Sequence, residues 1–594
     1  MRNPKALDEM IRGSRGGDIG QLQELAIAIR EFLVETVSTT GGHIGANLGT
    51  VELTLALDRV FGGEDDRVIW DTGHQGYTHK ILTGRADQFS TMNTYGGLSR
   101  FLSRSEDESD VIEASHGGTS LSVALGLALA RRLTGQRGWA VAVVGDGALT
   151  EGMLLEALNH ASSEGPLPLV LVLNDNGYAI SPGFGAFHDY LQSRPLGVTT
   201  PDTLFTALGY SYTGPVDGHD LSALCDALEE AKSGSGERVR LVHVKTQKGR
   251  GLPAADSHPY RMHFSFPFDP DTGKALVQNA VRSYQDVASE VISAEMGRND
   301  RIVCITPSTR YATALEPVFE AYPDRCYDPG MEEQHAMTLS VGLALGGLVP
   351  VLFYQSTFMQ RAYDQLFHDV CFMNLPTLLL SVRVGFAGYD NPTHHGIYET
   401  SYLRSLPNLR ILYPKDGYEL ERMVRDSLRD LQGPTLVEMP YGPVDLIDAG
   451  VLDDSPESFA APEVLHGGDD LTIIAVGPRF KDAMAARAIL EDKGISCGLV
   501  NLRYLKPLPE SALLTIMGKV PRVVVVEEAV LEGGVGSAVA SLASDHGLGT
   551  QILRVGLPCT FVEPGSADEL AHAYRLDASA LASRVLERWP RLGE

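Results

Sequence analysis

The chain has 594 residues, too many for one hydrophobic core, so its length predicts two to four domains of ordinary size. With 43% hydrophobic and 21% charged residues, its composition is that of a globular protein and excludes a disordered or fibrous one. Its 49 basic and 76 acidic side chains give a formal net charge of −27, which would repel nucleic-acid phosphates and anionic lipid surfaces, so we expect neither nucleic acid nor a membrane as a partner.

The 6 cysteines are scattered without a CxxC pair or a metal-like spacing, which is typical of buried thiols in a reducing compartment. The segment Met1–Gly17 is polar and glycine-rich and has no apolar core. Nowhere is an uninterrupted apolar run long enough to span a bilayer. We therefore expect a soluble, cytoplasmic protein without a targeting segment.

Along the chain, short β-branched runs that end near glycine are each followed by a long amphipathic stretch. This alternation is typical of parallel sheets covered by helices, and it predicts an α/β fold of three doubly wound domains with mostly parallel sheets. We place the domains at residues 1–270, 278–445 and 466–594. A turn-rich connector, Phe266–Gly273, ends the first block, and an interdomain linker, Asp445–Asp470, follows the second.

The first block opens with Asp18 and Gln21, whose spacing predicts a capping box and a helix that runs toward Val37. Its candidate strands are Trp139–Val144, Pro168–Leu173 and Val239–Val244. Those of the second block are Arg301–Thr306, Val349–Tyr354, Thr377–Val382, Leu409–Tyr413 and Thr435–Met439. Those of the third are Leu471–Val476, Cys497–Leu502, Arg522–Glu527 and Gln551–Val555.

Polar residues follow two successive strands of the first block. Gly145-Asp146-Gly147 ends one apolar strand, and Asn174-Asp175-Asn176 ends another about 30 residues later. A doubly wound sheet places both strand ends on its carboxyl edge, where ligands bind. Carboxylate, amide and carbonyl oxygens suit Mg²⁺, and the flanking glycines let a diphosphate approach the backbone. Either motif alone is more often a simple turn, but the pair indicates an anchor for thiamine diphosphate.

The chain also carries, in this order, GTVELTLAL, GHQGYTHKILTGR, GPVDGHDL, KGRG, EEQHAMT, STFMQRAYDQLFHDV and PTHHG. In these stretches it resembles the 1-deoxy-D-xylulose-5-phosphate synthases of the transketolase superfamily from end to end. The resemblance implies a homodimer of three α/β domains that holds thiamine diphosphate and Mg²⁺ between the first and second domains. It also implies that pyruvate is decarboxylated and that its two-carbon remnant is joined to a small aldehyde or ketone acceptor.

The resemblance assigns cofactor-binding residues by position. Asp146, Asn176 and the carbonyl of Tyr178 would bind Mg²⁺ and the diphosphate. Glu333 occupies the place of the family's catalytic glutamate, where a carboxyl group exchanges a proton with the aminopyrimidine ring of the cofactor. Glu332 beside it is expected to be a solvated helix charge. The other implied cofactor-binding residues are His74, Gly145, Gly147, Phe358 stacked on the aminopyrimidine, and Arg361 at its rim.

Histidines are acid–base candidates, because chemistry that protonates and deprotonates an alkoxide near neutral pH needs a group that titrates there. Besides His74, those at active-site positions of the family are His43, His116, His263 and His394. Arg383 and Asp390 match residues that line the family's acceptor site. A structural role is expected for the remaining candidates His335, His368 and His395.

Near the acceptor site the sequence departs from the family pattern. The family grips the phosphate of glyceraldehyde 3-phosphate with two arginines, a tyrosine and a serine, of which Arg383 alone is kept. The serine is replaced by Ala46, the tyrosine by Gln355 and the second arginine by Tyr441. Each lost charge-assisted bond is worth about 1.5–3 kcal/mol, so the preference for a phosphorylated acceptor would fall roughly a hundredfold to ten-thousandfold. Glu438, which replaces another arginine, would repel phosphate further if it faced the pocket.

Two weaker features complete the sequence. The segment Gly177–Thr200 stands where the family usually carries a long mobile insertion, so a more open pocket is expected. Gly534-Val535-Gly536 resembles a dinucleotide-binding loop but lacks its third glycine, because Val539 stands there, and is a weak signal.

Three functions stay open at this point. The leading hypothesis is a pyruvate-dependent carboligase whose acceptor is not glyceraldehyde 3-phosphate. The second is the ordinary synthase with a rebuilt phosphate site. The third is a non-catalytic paralogue that acts as a partner or scaffold, against which Asp146, Asn176, Glu333 and His394 argue, since a dead site has no physical need for them.

Overall fold

The computed structural model describes residues 4–14, 17–234, 238–276, 281–447 and 461–593. The chain divides into two compact units. The first unit comprises Met1–Asn279 and Gly330–Glu332, and the second comprises Ala280–Pro329 and Glu333–Glu594. The three domain boundaries given above stay predictions, and residues 448–460 of the predicted linker lie outside the described residues.

The first unit is built on a parallel sheet. Its strands are β1 (Arg67–Trp70), β2 (Ala140–Gly145), β3 (Leu169–Asp175), β4 (Ser211–Asp217) and β5 (Arg240–Lys245). Their order in the 5-stranded sheet is β1-β2-β3-β5-β4. The helices are α1 (Pro4–Ser14), α2 (Ile19–Thr40), α3 (Ile44–Gly49), α4 (Val51–Phe61), α5 (Tyr77–Leu82), α6 (Ser120–Thr134), α7 (Gly152–Ser163), α8 (Gly185–Gln192), α9 (Leu204–Ala207), α10 (Leu221–Ser233) and α11 (Pro253–Ser257).

The second unit contains two sheets. The strands of its 7-stranded sheet are β6 (Ile302–Ile305), β7 (Cys326–Tyr327), β8 (Val349–Gln355), β9 (Leu378–Val384), β10 (Arg410–Leu412), β11 (Thr435–Pro440) and β15 (Tyr504–Lys506). Those of its 5-stranded sheet are β12 (Glu463–His466), β13 (Leu471–Ala475), β14 (Cys497–Asn501), β16 (Arg522–Val530) and β17 (Gln551–Leu557). Both sheets are parallel except for the edge strands β15 and β12.

The strand orders are β15-β10-β11-β9-β8-β6-β7 and β12-β14-β13-β16-β17. The helices of this unit are α12 (Tyr284–Met296), α13 (Glu316–Ala321), α14 (Glu333–Leu345), α15 (Ser356–Met359), α16 (Tyr363–Gln365), α17 (Glu399–Leu403), α18 (Gly417–Arg429), α19 (Phe480–Glu491), α20 (Glu510–Met517), α21 (Val535–Asp545), α22 (Ala567–Ala573) and α23 (Ala578–Arg588). A π-helical turn follows α16 at Leu366–Cys371. Among the described residues, no helix combines the length and the apolar character needed to cross a membrane.

The α/β fold class with mostly parallel sheets is confirmed. Alternate residues of β2 and β3 enter two different apolar clusters, one on each face of the sheet, so these strands are continuous apolar runs that the sequence reveals. Each candidate strand overlaps an observed strand. The sequence missed β4, because Gly214-Pro215 interrupts it at the sheet edge, where proline is tolerated. It also missed β12, which lies inside the predicted linker.

The predicted start of α2 is confirmed. The side chain of Asp18 accepts the N–H of Gln21 at 2.9 Å, and the Gln21 side chain accepts the N–H of Asp18 at 3.2 Å. The helix runs past Val37 to Thr40 and stops at Gly41, whose φ of 76° suits glycine. This turn leads directly into His43.

Strand pairing decides which loops meet at each carboxyl edge. Gly145 at the end of β2 lies opposite Asn174 near the end of β3, so the two polar motifs are neighbours. In the second unit β9 lies between β8 and β11, so the segments that follow these three strands emerge side by side. Each unit therefore collects its predicted site residues at one edge of a sheet.

Asp71, which follows β1, holds the loop before α6. It is buried, and its two oxygens accept the N–H groups of Gly118 at 2.8 Å and of Ser120 at 3.0 Å. Asp71→Ala would leave both buried donors without an acceptor, at about 1–3 kcal/mol each. We expect amide exchange over residues 116–121 to become at least tenfold faster, measured by hydrogen–deuterium exchange. Asp87→Ala, at an exposed position, is the control, and unchanged exchange in Asp71→Ala would contradict this role.

Candidate functional site

In the first unit the two glycine- and asparagine-containing motifs converge. The carboxylate of Asp146 accepts the N–H of Asn176 at 3.3 Å and that of Gly177 at 2.9 Å. The amide oxygen of Asn176 accepts the N–H of Tyr178 at 3.0 Å. Hydrogen bonds therefore join the three residues proposed for the metal, although Asp146 follows β2 and the other two follow β3.

The glycines flanking Asp146 differ in their surroundings. A Cβ atom on Gly147 would come within 2.7 Å of the Ala179 backbone, so this position requires glycine. A Cβ atom on Gly145 would meet nothing within 4 Å, which leaves open space beside the strand end. The open space at Gly145 suits a bulky ligand that approaches the backbone, whereas Gly147 is required by close packing on Ala179, and the role of each glycine stays a prediction.

The electrostatics of this edge fit a metal-bound diphosphate. Burial raises the pKa of Asp146 to about 7, and the nearby charge of Asp175 adds to the rise. Burial also lowers the pKa of Lys248 to about 7, while its ammonium group donates to the carbonyl of Ala179 at 2.9 Å. A divalent cation would supply the positive charge that the carboxylate lacks, and a diphosphate would supply the anion that Lys248 lacks. The donor set of carboxylate, amide and carbonyl oxygens therefore fits Mg²⁺.

Sequence reasoning did not assign Lys248 to the site. The KGRG motif was available as a signal, but a lysine in a loop is exposed in most proteins. Here Lys248 is 3% exposed, and its ammonium group lies 5.3 Å from the centre of the Tyr178 ring. The sequence does not show that Lys248 lies close to the loop proposed to bind the metal; the folded structure does.

Three of the predicted histidines form a cluster in the first unit. The ring centre of His43 lies 5.3 Å from that of His74 and 5.5 Å from that of His263, and the last two are 5.2 Å apart. Burial, together with the charge of Lys248, lowers the pKa of His74 to about 4 and that of His263 well below its usual value. These two rings are thus uncharged at neutral pH, because a second positive charge beside Lys248 is unfavourable.

The cluster contains a buried ring nitrogen that the protein leaves without a partner in the described part of the chain. The Nδ1 atom of His263 is buried and has no hydrogen-bond partner among the described residues. A buried polar atom of this kind lowers the stability of the folded protein unless a bound molecule or a water forms a hydrogen bond with it. His116 is exposed on the loop held by Asp71. Its assignment stays a prediction.

In the second unit Glu333 is the first residue of α14 and is buried. An oxygen of its carboxylate lies 3.8 Å from a guanidinium nitrogen of Arg361. The Tyr354 hydroxyl donates to the backbone carbonyl of Glu333 at 2.8 Å, which fixes the start of the helix. The ring of Phe358 meets that of His394 edge-on at 5.6 Å. Four predicted site residues are thus in contact as two pairs, Glu333 with Arg361 and Phe358 with His394.

Arg383 forms the centre of the predicted acceptor site. It donates to Asp390 at 2.6 Å, and its guanidinium carbon lies 4.7 Å from the centre of the Tyr441 ring. Although burial opposes it, the charge of Asp390 keeps the pKa of Arg383 above its usual value. The φ angle of Arg383 is 64°, a strained conformation for a residue with a side chain. Strain of this kind is typical of functional sites.

Glu438 does not face this pocket. Its carboxylate is fully buried and accepts the Thr400 hydroxyl at 2.9 and 3.0 Å. The carboxylate is thus engaged by a side chain of α17 inside the protein. The expectation that Glu438 would repel phosphate, which depended on its facing the pocket, is therefore not met.

The remaining histidines are placed away from these pairs. His395 accepts the N–H of Ala387 at 2.9 Å and contacts the carbonyl of Glu563 at 3.1 Å, so it ties a loop to the core. His335 is exposed on α14, and His368 pairs with Asp364 one helical turn away. These contacts are what a structural role requires.

The backbone N–H groups of the GVG segment, Gly534-Val535-Gly536, are already bound by a glutamate side chain from the preceding strand. The carboxylate of Glu527 accepts the N–H groups of Val535 and Gly536, both at 2.8 Å. These are the donors that a dinucleotide phosphate would use at a helix start. The weak signal in the sequence therefore has a structural explanation.

Two buried carboxyl groups predict a pH dependence of stability. Burial raises the pKa of Glu399 to about 7, and burial together with the charge of Glu399 raises the pKa of Glu438 well above its usual value. Because both folded-state values exceed the ordinary 4.5, the folded protein binds more protons, and stability falls as pH rises from about 4.5 through 7.

We expect Glu438→Gln to lose less thermal stability than the parent protein between pH 5 and pH 8, because one of the two carboxyl groups can no longer ionise. The measurement is the midpoint of thermal unfolding across that range. Glu320→Gln, at an exposed position of α13, is the control and should keep the parental slope. If the unfolding midpoint of Glu438→Gln changed with pH as much as that of the parent protein, Glu438 would not be protonated in the folded protein in this pH range.

Comparisons with known proteins agree with these observations. A 1-deoxy-D-xylulose-5-phosphate synthase model matches residues 15–197 and 193–246, the transketolase pyrimidine binding domain matches 280–442, and the transketolase C-terminal domain matches 461–581.

Curated relatives match over nearly their whole length. 1-Deoxy-D-xylulose-5-phosphate synthase 2 of Geobacter sulfurreducens is 40% identical over 96% of this chain and 97% of its own. The synthase of Caldanaerobacter subterraneus subsp. tengcongensis is 39% identical over 97% of both chains, and that of a Synechococcus species is 40% identical over 96% of this chain and 95% of its own. The chain therefore belongs to the 1-deoxy-D-xylulose-5-phosphate synthase family, whose members are transferases that use thiamine diphosphate and a divalent metal ion.

Proposed function

We propose that the protein is a 1-deoxy-D-xylulose-5-phosphate synthase that decarboxylates pyruvate and transfers the two-carbon unit to glyceraldehyde 3-phosphate. The observation that carries the proposal is the Nε–H of Arg383, which is buried and has no acceptor among the described residues. A phosphate oxygen of the acceptor would satisfy it with a charge-assisted hydrogen bond. The nearly full-length relatives bearing this name support the same acceptor.

The first unit would hold the cofactor by its diphosphate. Asp146, the amide oxygen of Asn176 and the carbonyl of Tyr178 would ligate Mg²⁺, and Lys248 would neutralise the diphosphate charge. When bound, thiamine diphosphate supplies the carbon nucleophile that makes the loss of carbon dioxide from pyruvate possible. The uncharged ring of His263 can accept or donate a hydrogen bond to a reacting oxygen without adding a charge.

The second unit would supply the proton and the acceptor site. Glu333 is buried beside Arg361, so its carboxyl group is positioned to exchange a proton with the cofactor ring. Phe358 would present its face to that ring, with His394 at its edge. Arg383 would bind the acceptor phosphate while Asp390 orients the guanidinium group.

A second candidate function is favoured by the surroundings of Arg383. Asp390 already neutralises its charge, and the ring of Tyr441 covers one face of it. At two further positions where the family carries a serine and a tyrosine, the sequence has Ala46 and Gln355, which offer no hydroxyl groups to a phosphate. With this loss of charge-assisted bonds, the acceptor would be an unphosphorylated aldehyde or ketone, and the pyruvate half of the reaction would be unchanged.

Kinetics with two acceptors separate these candidates. We expect kcat/KM for glyceraldehyde 3-phosphate to exceed that for glyceraldehyde by about a hundredfold, because one charge-assisted contact to phosphate is worth about 1.5–3 kcal/mol. Equal values, or a preference for glyceraldehyde, would overturn the proposed acceptor in favour of the second candidate.

Tyr441→Arg adds a cation where the aromatic ring now covers Arg383. We expect this change to raise the ratio of kcat/KM for glyceraldehyde 3-phosphate over glyceraldehyde about tenfold. Tyr441→Phe is the control, since it keeps the ring and removes only the hydroxyl group. No gain in Tyr441→Arg would show that position 441 does not contact the acceptor phosphate.

Glu333→Ala tests the proton-transfer role directly. We expect release of carbon dioxide from pyruvate to fall at least hundredfold, because a positioned acid–base group contributes about a hundredfold to ten-thousandfold. The fold should be intact by circular dichroism, and Glu332→Ala, which changes the neighbouring half-buried glutamate, should retain activity. Substantial turnover in Glu333→Ala would remove this residue from the mechanism.

A further inference from the structure

A buried chain of side chains runs behind the proposed metal-binding turn. The Tyr212 hydroxyl on β4 lies 2.8 Å from Nδ1 of His243 on β5, and Nε2 of His243 lies 2.9 Å from Oδ2 of Asp175 at the end of β3. Their exposed fractions are 8%, 0% and 2%. We call these three residues the Asp–His–Tyr chain. It runs diagonally across three neighbouring strands, since Tyr212 pairs with Leu241 and Asp175 with Lys245.

Donor and acceptor roles in the chain follow from chemistry. A carboxylate only accepts, so Nε2 of His243 carries the hydrogen that is donated to Asp175. With that tautomer, Nδ1 accepts from the hydroxyl of Tyr212. The other oxygen of Asp175 accepts from the side chain of Gln192 on α8 at 2.9 Å. The carboxylate is thus held from two sides and cannot rotate freely.

Asp175 is the last residue of β3 and directly precedes Asn176. Its neighbour Asn174 is held as well, by the Thr246 hydroxyl at 2.6 Å and by Gln75 at 3.2 Å. Two fixed side chains immediately before Asn176 leave its backbone little freedom. Contacts outside the metal site thus restrain the end of β3, from which the Asn176 side chain and the Tyr178 carbonyl follow.

From this geometry we infer that the Asp–His–Tyr chain consists of positioning residues that set the affinity of the turn for Mg²⁺. The inference rests on the proposed function, because it assumes that Asp146, Asn176 and Tyr178 ligate the cation. Partners behind metal ligands typically change metal affinity tenfold to a hundredfold when removed. Through the Asp–His–Tyr chain, residues on β4 and β5 that touch neither the cation nor the substrate would also affect metal affinity.

Tyr210 provides a matched control in the same region. It is fully buried, it lies two residues before Tyr212, and its hydroxyl donates to the carbonyl of Leu158 at 2.7 Å. Removal of either hydroxyl deletes one buried hydrogen bond and leaves the ring in place. Tyr212 alone is connected to the metal-binding turn.

The test compares Tyr212→Phe with Tyr210→Phe in the full-length protein. Mg²⁺ is titrated by calorimetry in the presence of saturating thiamine diphosphate, and thermal unfolding is measured without Mg²⁺. We expect Tyr212→Phe to weaken Mg²⁺ binding at least tenfold and Tyr210→Phe less than twofold, while both lower the unfolding midpoint by a similar amount. In Tyr212→Phe, kcat should recover at saturating Mg²⁺, whereas the Mg²⁺ concentration for half-maximal activity should rise.

Gln192→Met is a second variant, because Gln192 is exposed and its replacement does not endanger the fold. It should weaken Mg²⁺ binding in the same direction by severalfold. Equal Mg²⁺ affinities in the Tyr212 and Tyr210 variants, with parental affinity in Gln192→Met, would overturn the positioning role alone. Failure of the parent protein to bind Mg²⁺ and thiamine diphosphate would instead overturn the proposed function, and the inference with it.

Discussion

The pairing of β2 with β3 is the constraint on which the candidate site depends. It places Gly145 opposite Asn174, and the N–H of Asp146 donates to the carbonyl of Asn174 at 3.2 Å. Two loops that are about 30 residues apart in sequence thereby become one surface with oxygen atoms directed to the same point. The side-chain contacts among Asp146, Asn176 and Tyr178 are possible because the two strands are in this register. A shift of one residue would turn Asp146 toward the opposite face.

Burial of charge without a matching partner is the second property that both units share. Asp146 and Lys248 are both buried in the first unit, and each has a pKa moved toward neutrality because its charged form is poorly solvated. In the second unit Arg383 keeps one donor unsatisfied although Asp390 is close. A protein maintains such groups at a cost in stability, which binding of a charged ligand offsets. This explains why ligand chemistry can be inferred from unliganded side chains.

The sequence predicted β2 and β3 because both are continuous apolar runs that end in polar turn residues, and it predicted the capping box of α2 from two side chains. Other features could not be predicted because they depend on pairing. Lys248 is an ordinary loop lysine until the fold buries it, and the partners of Asp175 come from β5 and α8. The contact of Glu438 with Thr400 joins β11 to α17, so it too depends on the folded structure. Neither the domain boundaries nor the roles of single site residues follow from these patterns alone.

The acceptor site shows how one arginine can support two different interpretations. Its Nη1 atom is committed to Asp390, and its face is covered by Tyr441, so the net charge presented to a ligand is small. Its Nε–H, in contrast, is still directed into buried space without an acceptor. A neutral hydroxyl could accept that single hydrogen bond, but the desolvation of a guanidinium edge is better offset by an anionic oxygen. The charge-assisted bond is worth about 1.5–3 kcal/mol, so it favours a phosphate without excluding a polar uncharged acceptor. Discrimination between acceptors therefore depends on the groups that surround Arg383, and position 441 is the one that the structure places directly against it.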